Sequence, residues 1–342
     1  MVELTPKERA FKILKGEKVD RIPATSLAGC GGTVNVEMQE ATGIFWPEAH
    51  KDPEKMAKLA IASYELTGLE CVRVPFDFVE EPEALGCKIK FGEKVDSVPA
   101  VVEHVFSSPE ELKKPENILE LGRIPVVLKA IEILKERVGD FLPISSLALG
   151  PFTLAAMLAG EARFLTWVLK KPDYVRAFVD FSTDVIIEYA KAQYKAGSHI
   201  VQIGDPTASP DLISPDAFRQ FAKPALIEVA DNLDGLKLLH ICGKAESIVP
   251  DMADCGYHGI SVEESVNISR IKTLVGNVKI LGNINSKRTL LFGKPEEVEA
   301  EVKLAIASGV DFVEPGCGFA PRTPTRNIKA MVEATKKFGV KT

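Results

Sequence analysis

Apolar and polar positions follow two periods along this chain, that of short strands and that of amphipathic helices. From residue 198 onward five strand-like runs each precede a helical pattern; they are SHIVQIGD, LKLLHICG, YHGISVEE, VKILGNI and DFVEPGCG. Further strand-like runs near 22–27, 71–75 and 142–148 bring the total to eight. Apolar strands alternating with amphipathic helices are typical of a parallel sheet with helices outside it. Eight strands over about 320 residues predict an α/β protein with a (β/α)₈ TIM barrel.

Two stretches depart from the repeating pattern. At the N-terminus, Thr5, Pro6 and Glu8 form a capping box with proline in the first turn, which predicts a helical cap before the barrel. Near 86–106, the run GCKIKFGEKVDSVPAVVEHVF alternates apolar and polar residues around a glycine-containing turn, as a β-hairpin does. Because hairpins fit poorly inside a pure βα repeat, we expect a hairpin insertion in one barrel domain covering 1–342.

An open, doubly wound sheet is the main structural alternative, since it also alternates strands with helices. Its phosphate-binding turn, G-x-G-x-x-G after the first strand, is missing from this sequence, and GCGG at 29–32 has a different spacing. The residues suited to chemistry fall at the carboxyl ends of the predicted strands, where parallel barrels place their active sites. The barrel is therefore the favoured fold.

Composition and charge limit the kinds of partner that this protein is expected to bind. The formal net charge of -6 gives no sign of the clustered basic face that nucleic acids require, so no nucleic-acid partner is expected. No apolar run approaches the roughly 18 residues needed to cross a bilayer, and the charged N-terminal segment lacks the apolar block of a signal peptide. We therefore expect a cytoplasmic protein without a membrane partner. Its six cysteines are then expected to be reduced thiols or metal ligands.

The run LKLLHICGK places two ligand-type residues at the end of one strand. Side chains alternate along a strand, so Leu238, His240 and Cys242 share a face, with the apolar member deeper and the imidazole and thiol last. Cys317 follows the last predicted strand, between Gly316 and Gly318, and in a barrel it would point to the same mouth.

His240, Cys242 and Cys317 would make a Cys₂His zinc set with one open position, which is the arrangement of a catalytic site. The alternative is that the cysteines are small packing residues and the histidine is a satisfied core residue, since one H-x-C with a distant cysteine is a loose pattern. The other cysteines have no partner at metal spacing and are interpreted as packing residues; Cys30, at the end of the first strand, fits that interpretation least well.

Four polar residues are further candidates at the predicted rim. Glu263 would face the mouth as a labile fourth zinc ligand or a proton acceptor, or else be a helix N-terminal acid. Asp205 would bind substrate or orient His240, or else cap a loop. Asn283 would donate hydrogen bonds at the rim. Arg322 would pair with an anionic acceptor or else face solvent.

Six segments together resemble the uroporphyrinogen decarboxylase superfamily and, within it, the methylcobamide:coenzyme M methyltransferases of methanogenic archaea. They are TPKERAFKILKGEKVDRIP, WPEAH, LLHICGK, DMADCGYHGISVEE, LGNI and PGCGFAPRTP. The resemblance implies a (β/α)₈ barrel that transfers a methyl group from methylcobalamin on a corrinoid protein to coenzyme M. It also implies that His240, Cys242 and Cys317 are zinc ligands and that Glu263 matches an acidic residue able to occupy the open zinc position.

Three rival functions follow from the same resemblance. Decarboxylases of the superfamily bind substrate carboxylates through an arginine-rich N-terminal segment, whereas the corresponding run here, ATSLAGCGGTVN, has no arginine. Relatives that methylate a pterin or folate acceptor use an amine nitrogen and generally lack the zinc set. A non-catalytic corrinoid- or tetrapyrrole-binding protein gives no reason for three ligand residues at one mouth. Methyl transfer to a thiol is therefore the favoured function.

Overall fold

The computed structural model describes residues 3–340, and within them a parallel sheet curls around the core. The strands of this part of the chain are β1 Val72–Val74, β2 Lys88–Lys90, β3 Ala100–Glu103, β4 Ile144–Leu149, β5 Ile200–Gly204, β6 Leu236–His240, β7 Gly259–Ser261, β8 Lys279–Ile284 and β9 Phe312–Pro315. Seven of them form the curled sheet in the order β1-β4-β5-β6-β7-β8-β9, and every neighbouring pair is parallel.

Helices fill the connections between the strands. The α-helices are α1 Pro6–Leu14, α2 Val36–Thr42, α3 Pro53–Thr67, α4 Glu80–Ala84, α5 Ile124–Val138, α6 Pro151–Ala159, α7 Glu161–Lys170, α8 Pro172–Ala196, α9 Pro215–Ala217, α10 Lys223–Asp231, α11 Val249–Ala253, α12 Ile268–Ile271, α13 Pro295–Ser308 and α14 Thr325–Phe338. Two π-helical turns, Phe218–Ala222 and Ser286–Leu291, follow β5 and β8. Alternation of parallel strands with helices is the predicted α/β architecture.

The eighth position of the barrel is filled by an extended segment near the N-terminus. Ala24 pairs with Val313 of β9 in a parallel bridge, and the Val313 amide donates to the carbonyl of Pro23. On its other side, the Ala24 carbonyl accepts from the amide of Glu70, just before β1. The run predicted as the first strand thus closes the barrel between its last and first regular strands, although it forms a single bridge rather than a full strand. The predicted TIM-barrel class is confirmed.

A buried ionic network holds the N-terminal helix against the barrel. Thr5 and Glu8 form the predicted capping box of α1. Arg9, on the buried face of α1, pairs with Asp20 and Glu70 at 2.6 Å each, and Arg21 pairs with Glu70 at 2.7 Å. Because the Glu70 carboxylate also accepts a hydrogen bond from the amide of Ala24, this network ties the helical cap to the segment that closes the barrel.

The predicted hairpin insertion is present as the antiparallel pair β2 and β3. Among residues 3–340 no single helix is long and apolar enough to cross a membrane, and the pair α6 and α7 reaches that length and composition only across a bend of 109°.

Candidate metal centre

Four ligand-type side chains from three parts of the chain meet at the carboxyl ends of the barrel strands. His240 Nε2 lies 3.1 Å from Cys242 Sγ, which lies 3.5 Å from Cys317 Sγ and 3.2 Å from Cys30 Sγ. One nitrogen and three sulfurs all fall within 4.8 Å of one another. His240, Cys242 and Cys317, the predicted ligand set, are therefore brought together in the structure.

The end of β6 positions His240 and Cys242. His240 is the last residue of the strand, in register with Gly204 of β5 and Ser261 of β7, and it is fully buried. Its Nδ1 lies 3.0 Å from Ser261 Oγ, which leaves Nε2 directed at Cys242. The carbonyl of Cys242 accepts a 2.8 Å hydrogen bond from Ser209. The ring orientation is thus fixed from a neighbouring strand, as is usual for metal-binding histidines.

The loop after β9 positions Cys317. The Gly316 amide donates to the carbonyl of Ile284 at the end of β8, and the Cys317 amide donates to Ser286 Oγ at 3.2 Å. A Cβ on Gly316 would lie 3.1 Å from the Cα of Glu263, so only glycine lets the loop approach the end of β7 this closely.

Cys30 belongs to the same cluster, so the expectation that it has no partner at metal spacing was wrong. Its loop and the Cys317 loop pack backbone against backbone, since the Gly31 amide donates to the Cys317 carbonyl at 2.7 Å. A Cβ on Gly29 would collide with that carbonyl, and a Cβ on Gly31 would lie 2.9 Å from the Cα of Gly318. Both cysteines stand in the tripeptide Gly-Cys-Gly, at 29–31 and 316–318, which is the sequence signal that pairs the two loops.

Two buried charged residues that sequence reasoning missed support these loops. Arg73 of β1 donates to the carbonyls of Gly29 and Gly31, on both sides of Cys30. Glu314 of β9 accepts from Thr25 Oγ1 and the Leu27 amide, each at 2.7 Å. Burial raises the pKa of Glu314 to about 7. Because β9 leads directly into the Cys317 loop, Glu314 fixes the segment before Cys30 relative to Cys317.

The three thiols share protons unequally. The hydrogen bond from Cys242, and to a smaller extent the one from Cys30, lowers the pKa of Cys317 well below its ordinary value. For Cys242, the hydrogen bond with Cys30 and, to a smaller extent, the one with Cys317 raise the pKa. One thiolate is therefore favoured by its neighbours, while a second or third negative charge at this distance requires a cation among them.

Glu263 is half-buried just beyond β7. Burial, followed by the negative charge of Cys317, raises its pKa, whereas His240 acts in the opposite direction. Glu263 thus lies within electrostatic reach of the cluster, although its carboxylate is not among the four ligand-type groups that meet there.

An apolar cavity of about 390 Å³ opens directly onto the cluster. Its wall includes residues of both Gly-Cys-Gly loops, and the apolar side chains that line it from elsewhere in the chain are Trp46, Phe76, Phe78 and Val98. The sulfurs of Cys30 and Cys317 therefore face a space suited to an apolar group.

Asp205 has partners different from those expected. Its carboxylate accepts from the amide and hydroxyl of Thr153, at 2.7 and 2.6 Å, and more weakly from the amide of Phe152. These groups form the first turn of α6, whose unpaired amides attract a carboxylate. The side chain is fully buried. Ser261 rather than Asp205 contacts the free nitrogen of His240, so Asp205 is a buried anchor of α6 and not the orienting partner.

Asn283 and Arg322 also have partners within the protein. The Asn283 amide donates to the carbonyls of Val266 and Glu263, at 3.1 and 3.4 Å, so it holds the loop after β7 rather than reaching into the mouth. Arg322 Nε pairs at 2.6 Å with Asp96 of the hairpin loop, with two thirds of its side chain exposed. This pair links the hairpin insertion to the segment after Cys317, and binding of an anionic acceptor by Arg322 stays a prediction.

Comparison with known proteins places this geometry in a family. The uroporphyrinogen decarboxylase (URO-D) family matches residues 5–338. Methylcobamide:CoM methyltransferase MtaA of Methanosarcina barkeri is 43% identical, with 99% of both chains covered. Methylcobamide:CoM methyltransferase MtbA of Methanosarcina mazei is 41% identical, again over 99% of both chains.

A solved structure supports the same relationship. A methyltransferase from Methanosarcina mazei superimposes with a TM-score of 0.94 at 43% identity, covering 98% of this chain and 99% of its own. Fold, length and sequence thus agree over nearly the whole molecule. The chain belongs to the uroporphyrinogen decarboxylase family, and within that family it resembles the methylcobamide:CoM methyltransferases.

Proposed function

We propose that this protein is a zinc-dependent methyltransferase that moves a methyl group from a methylated corrinoid to a thiol, with coenzyme M as the acceptor. The observation that carries the proposal is the convergence of His240, Cys242 and Cys317 at the barrel mouth, beside an apolar cavity. The names of relatives that are 43% and 41% identical over nearly the full chain supply the donor and acceptor classes.

The donor set suits zinc. Zinc binds thiolate and imidazole ligands in tetrahedral geometry, with bonds of about 2.3 Å to sulfur and about 2.0 Å to nitrogen. The edges of such a tetrahedron are about 3.8 Å between sulfurs, and neighbouring ligand atoms here lie 3.1–3.5 Å apart. Small outward movements of these side chains would therefore accommodate the ion. Three thiol groups this close together also need a cation between them before more than one can ionise.

When bound, zinc lowers the pKa of a coordinated thiol, so that the sulfur is a nucleophile at neutral pH. The chain's own part is to hold its ligands and keep water away. Ser261 fixes the imidazole of His240, and the two Gly-Cys-Gly loops fix the sulfurs of Cys30 and Cys317. Glu263 is our candidate for accepting the proton that the incoming thiol releases, since burial keeps its pKa raised.

The methyl donor would enter from the cavity side. Aromatic rings of Trp46, Phe76 and Phe78 exclude water from the path of the methyl group. In the transfer a carbon–sulfur bond forms, the cobalt–carbon bond breaks, and both electrons of that bond stay on cobalt. Because a corrinoid is too large for a closed pocket, we propose that a partner protein carries it to the open carboxyl end of the barrel.

The thiol acceptor is favoured over the rivals by the metal centre itself. A pterin or folate nitrogen needs no thiolate activation, and decarboxylation needs cationic partners for several carboxylates. The cluster also implies a compartment that keeps thiols reduced, which agrees with the proposed cytoplasmic location.

The test is metal analysis combined with a methyl-transfer assay on purified protein. About one zinc per chain is expected, with methylation of coenzyme M by methylcobalamin. Replacing Cys317 by alanine is expected to remove the zinc and to lower the methylation rate by at least about 100-fold. Cys255→Ala, a buried cysteine outside the cluster, is the matched control and is expected to keep both. Full activity of metal-free protein would disprove the proposal.

A further inference from the structure

We infer that Cys30 binds the same metal ion as a fourth protein ligand, so that the resting site holds three sulfurs and one nitrogen. The inference rests on the proposed zinc site. It adds a fourth ligand to the predicted set of His240, Cys242 and Cys317. It concerns the metal centre before a thiol acceptor binds. Without Cys30, the fourth coordination position, which the acceptor later takes, would be open.

Distance is the first argument. Cys30 Sγ is 3.2 Å from Cys242 Sγ, closer than Cys317 Sγ, which lies 3.5 Å away. The Cys30 sulfur lies within 4.8 Å of each of the three predicted ligand atoms, which lie within the same distance of one another. An ion placed to bind His240, Cys242 and Cys317 in tetrahedral geometry would therefore have Cys30 as its nearest further donor.

Rigidity is the second argument. Arg73 donates to the backbone on both sides of Cys30, and the Gly31 amide bonds to the Cys317 carbonyl. Side chains at Gly29 or Gly31 would force the two loops apart. Because both flanks are fixed, the Cys30 sulfur is held among the other ligands without the metal, as a preorganised ligand should be.

Charge is the third argument. Two thiolates neutralise a divalent cation, and a third leaves one negative charge. The buried guanidinium of Arg73, only 2% exposed, lies directly beneath the Cys30 loop and supplies one positive charge. A centre with three thiolates thus has one buried cation next to the loop that carries its third thiolate, which favours burial of that thiolate.

Glu263 is the competing occupant of the fourth position. Its carboxylate lies outside the group of ligand atoms that meet within 4.8 Å, whereas the sulfur of Cys30 lies inside it. Thiolates are also preferred over carboxylates in tetrahedral zinc sites with four protein ligands. Cys30 is therefore the fourth ligand that the geometry supports, and Glu263 is left free.

The test counts sulfurs by zinc K-edge X-ray absorption on the purified full-length protein. A phosphine reductant replaces small thiols, so that every sulfur on the metal comes from the chain. Wild-type protein is expected to fit three sulfurs at about 2.3 Å and one nitrogen at about 2.0 Å. Cys30→Ser and Cys30→Ala are expected to retain zinc with two sulfurs. Cys255→Ser, in which the hydroxyl can keep the hydrogen bond to the Asp251 carbonyl, is the matched control and is expected to keep three.

Two sulfurs in wild-type protein, or three in both Cys30 variants, would overturn the inference while leaving the zinc-dependent function intact. Wild-type protein that binds no zinc would overturn both proposals. Since the wild-type count alone distinguishes two sulfurs from three, the test does not depend on the variants folding well.

Discussion

At the scale of single residues, buried carboxylates near the barrel mouth hold loops and helices in place. Asp205 accepts from the first turn of α6, and Glu314 accepts from the segment before Cys30. Burial raises the pKa of both, to about 6 and about 7. These groups are fully enclosed, so their protonation affects folding and, through the loops, the geometry of the ligand sulfurs.

The titration of Asp205 predicts a pH dependence of stability. Burial raises its pKa from about 3.8 in the unfolded chain to about 6, even though the Thr153 donors act in the opposite direction. The folded state therefore holds the proton more tightly, and this stabilisation is present below about pH 4 and lost as pH rises through 6. Relative to Asp205→Asn, the free energy of unfolding of the wild type is expected to fall by up to about 3 kcal/mol between pH 4 and pH 7.

Urea unfolding of both proteins across that range measures the difference. Asp216→Asn, at an almost fully exposed carboxylate, is the control and is expected to show no such trend. A difference that stays constant, or grows with pH, would mean that the amides of α6 keep the Asp205 carboxylate ionised.

Residues differ in how far the sequence alone could assign them. His240 and Cys242 were found because alternation along one strand puts them on one face, which is local information. Cys30 and Arg73 were missed because their partners lie far away in the chain and are brought close only when the barrel closes. The carboxylate of Asp205 was placed at the correct strand end, but its partner was left open between substrate, His240 and a loop, since the sequence does not show which helix terminus lies beside it.

At the scale of elements, the two Gly-Cys-Gly loops behave as one unit. One loop follows the closing segment and the other follows β9, and these two chain segments are neighbours in the barrel. Their backbones are linked by the hydrogen bond from the Gly31 amide to the Cys317 carbonyl and by the bridge between Gly32 and Phe319. Any change that separates the backbones would separate the sulfurs of Cys30 and Cys317.

A single added methyl group tests this coupling. In Gly31→Ala the new Cβ would lie 2.9 Å from the Cα of Gly318, so the loops must move apart and zinc affinity is expected to fall at least about 10-fold. In Gly32→Ala the nearest atom is 3.5 Å away, and affinity is expected to stay within about two-fold of wild type. Neither glycine has a left-handed backbone, so the pair differs in space alone.

Competition with a chromophoric zinc chelator gives both affinities. Equal affinities for the two variants would show that the loops adjust independently of the metal ligands.

The elements themselves were predictable to different degrees. The five βα units after residue 198 were recognised because each strand is mostly apolar and is followed by a helical segment. The first strand was placed correctly but forms only one bridge, because Pro23 lacks an amide hydrogen and the carboxylate of Glu314 accepts the amides of Leu27 and Ala28. The hairpin was recognised from its alternation alone, as period-two patterns are local.

At the scale of the whole molecule, barrel closure places the metal centre beside the hairpin insertion. The loop between β2 and β3 reaches the segment after Cys317 through the pair Asp96 and Arg322, and its Val98 lines the cavity. Val98 is nevertheless 41% exposed, so it lies at the boundary between the cavity and the surface. The insertion is therefore part of the route by which a methyl donor would approach the sulfurs.

This position predicts a selective effect on the donor. Val98→Asp puts a charge where the apolar cavity opens, and it is expected to raise KM for a methylated corrinoid protein about 10-fold or more, because an unpaired charge is desolvated when the donor docks. KM for the small thiol and the zinc content are expected to change little, since the ligand loops are untouched.

Val102→Asp is the matched control: it lies on β3, is 47% exposed and does not line the cavity. Steady-state kinetics with each substrate varied in turn separates the two effects. Equal changes in both variants would mean that the donor reaches the metal centre by a route that avoids the hairpin.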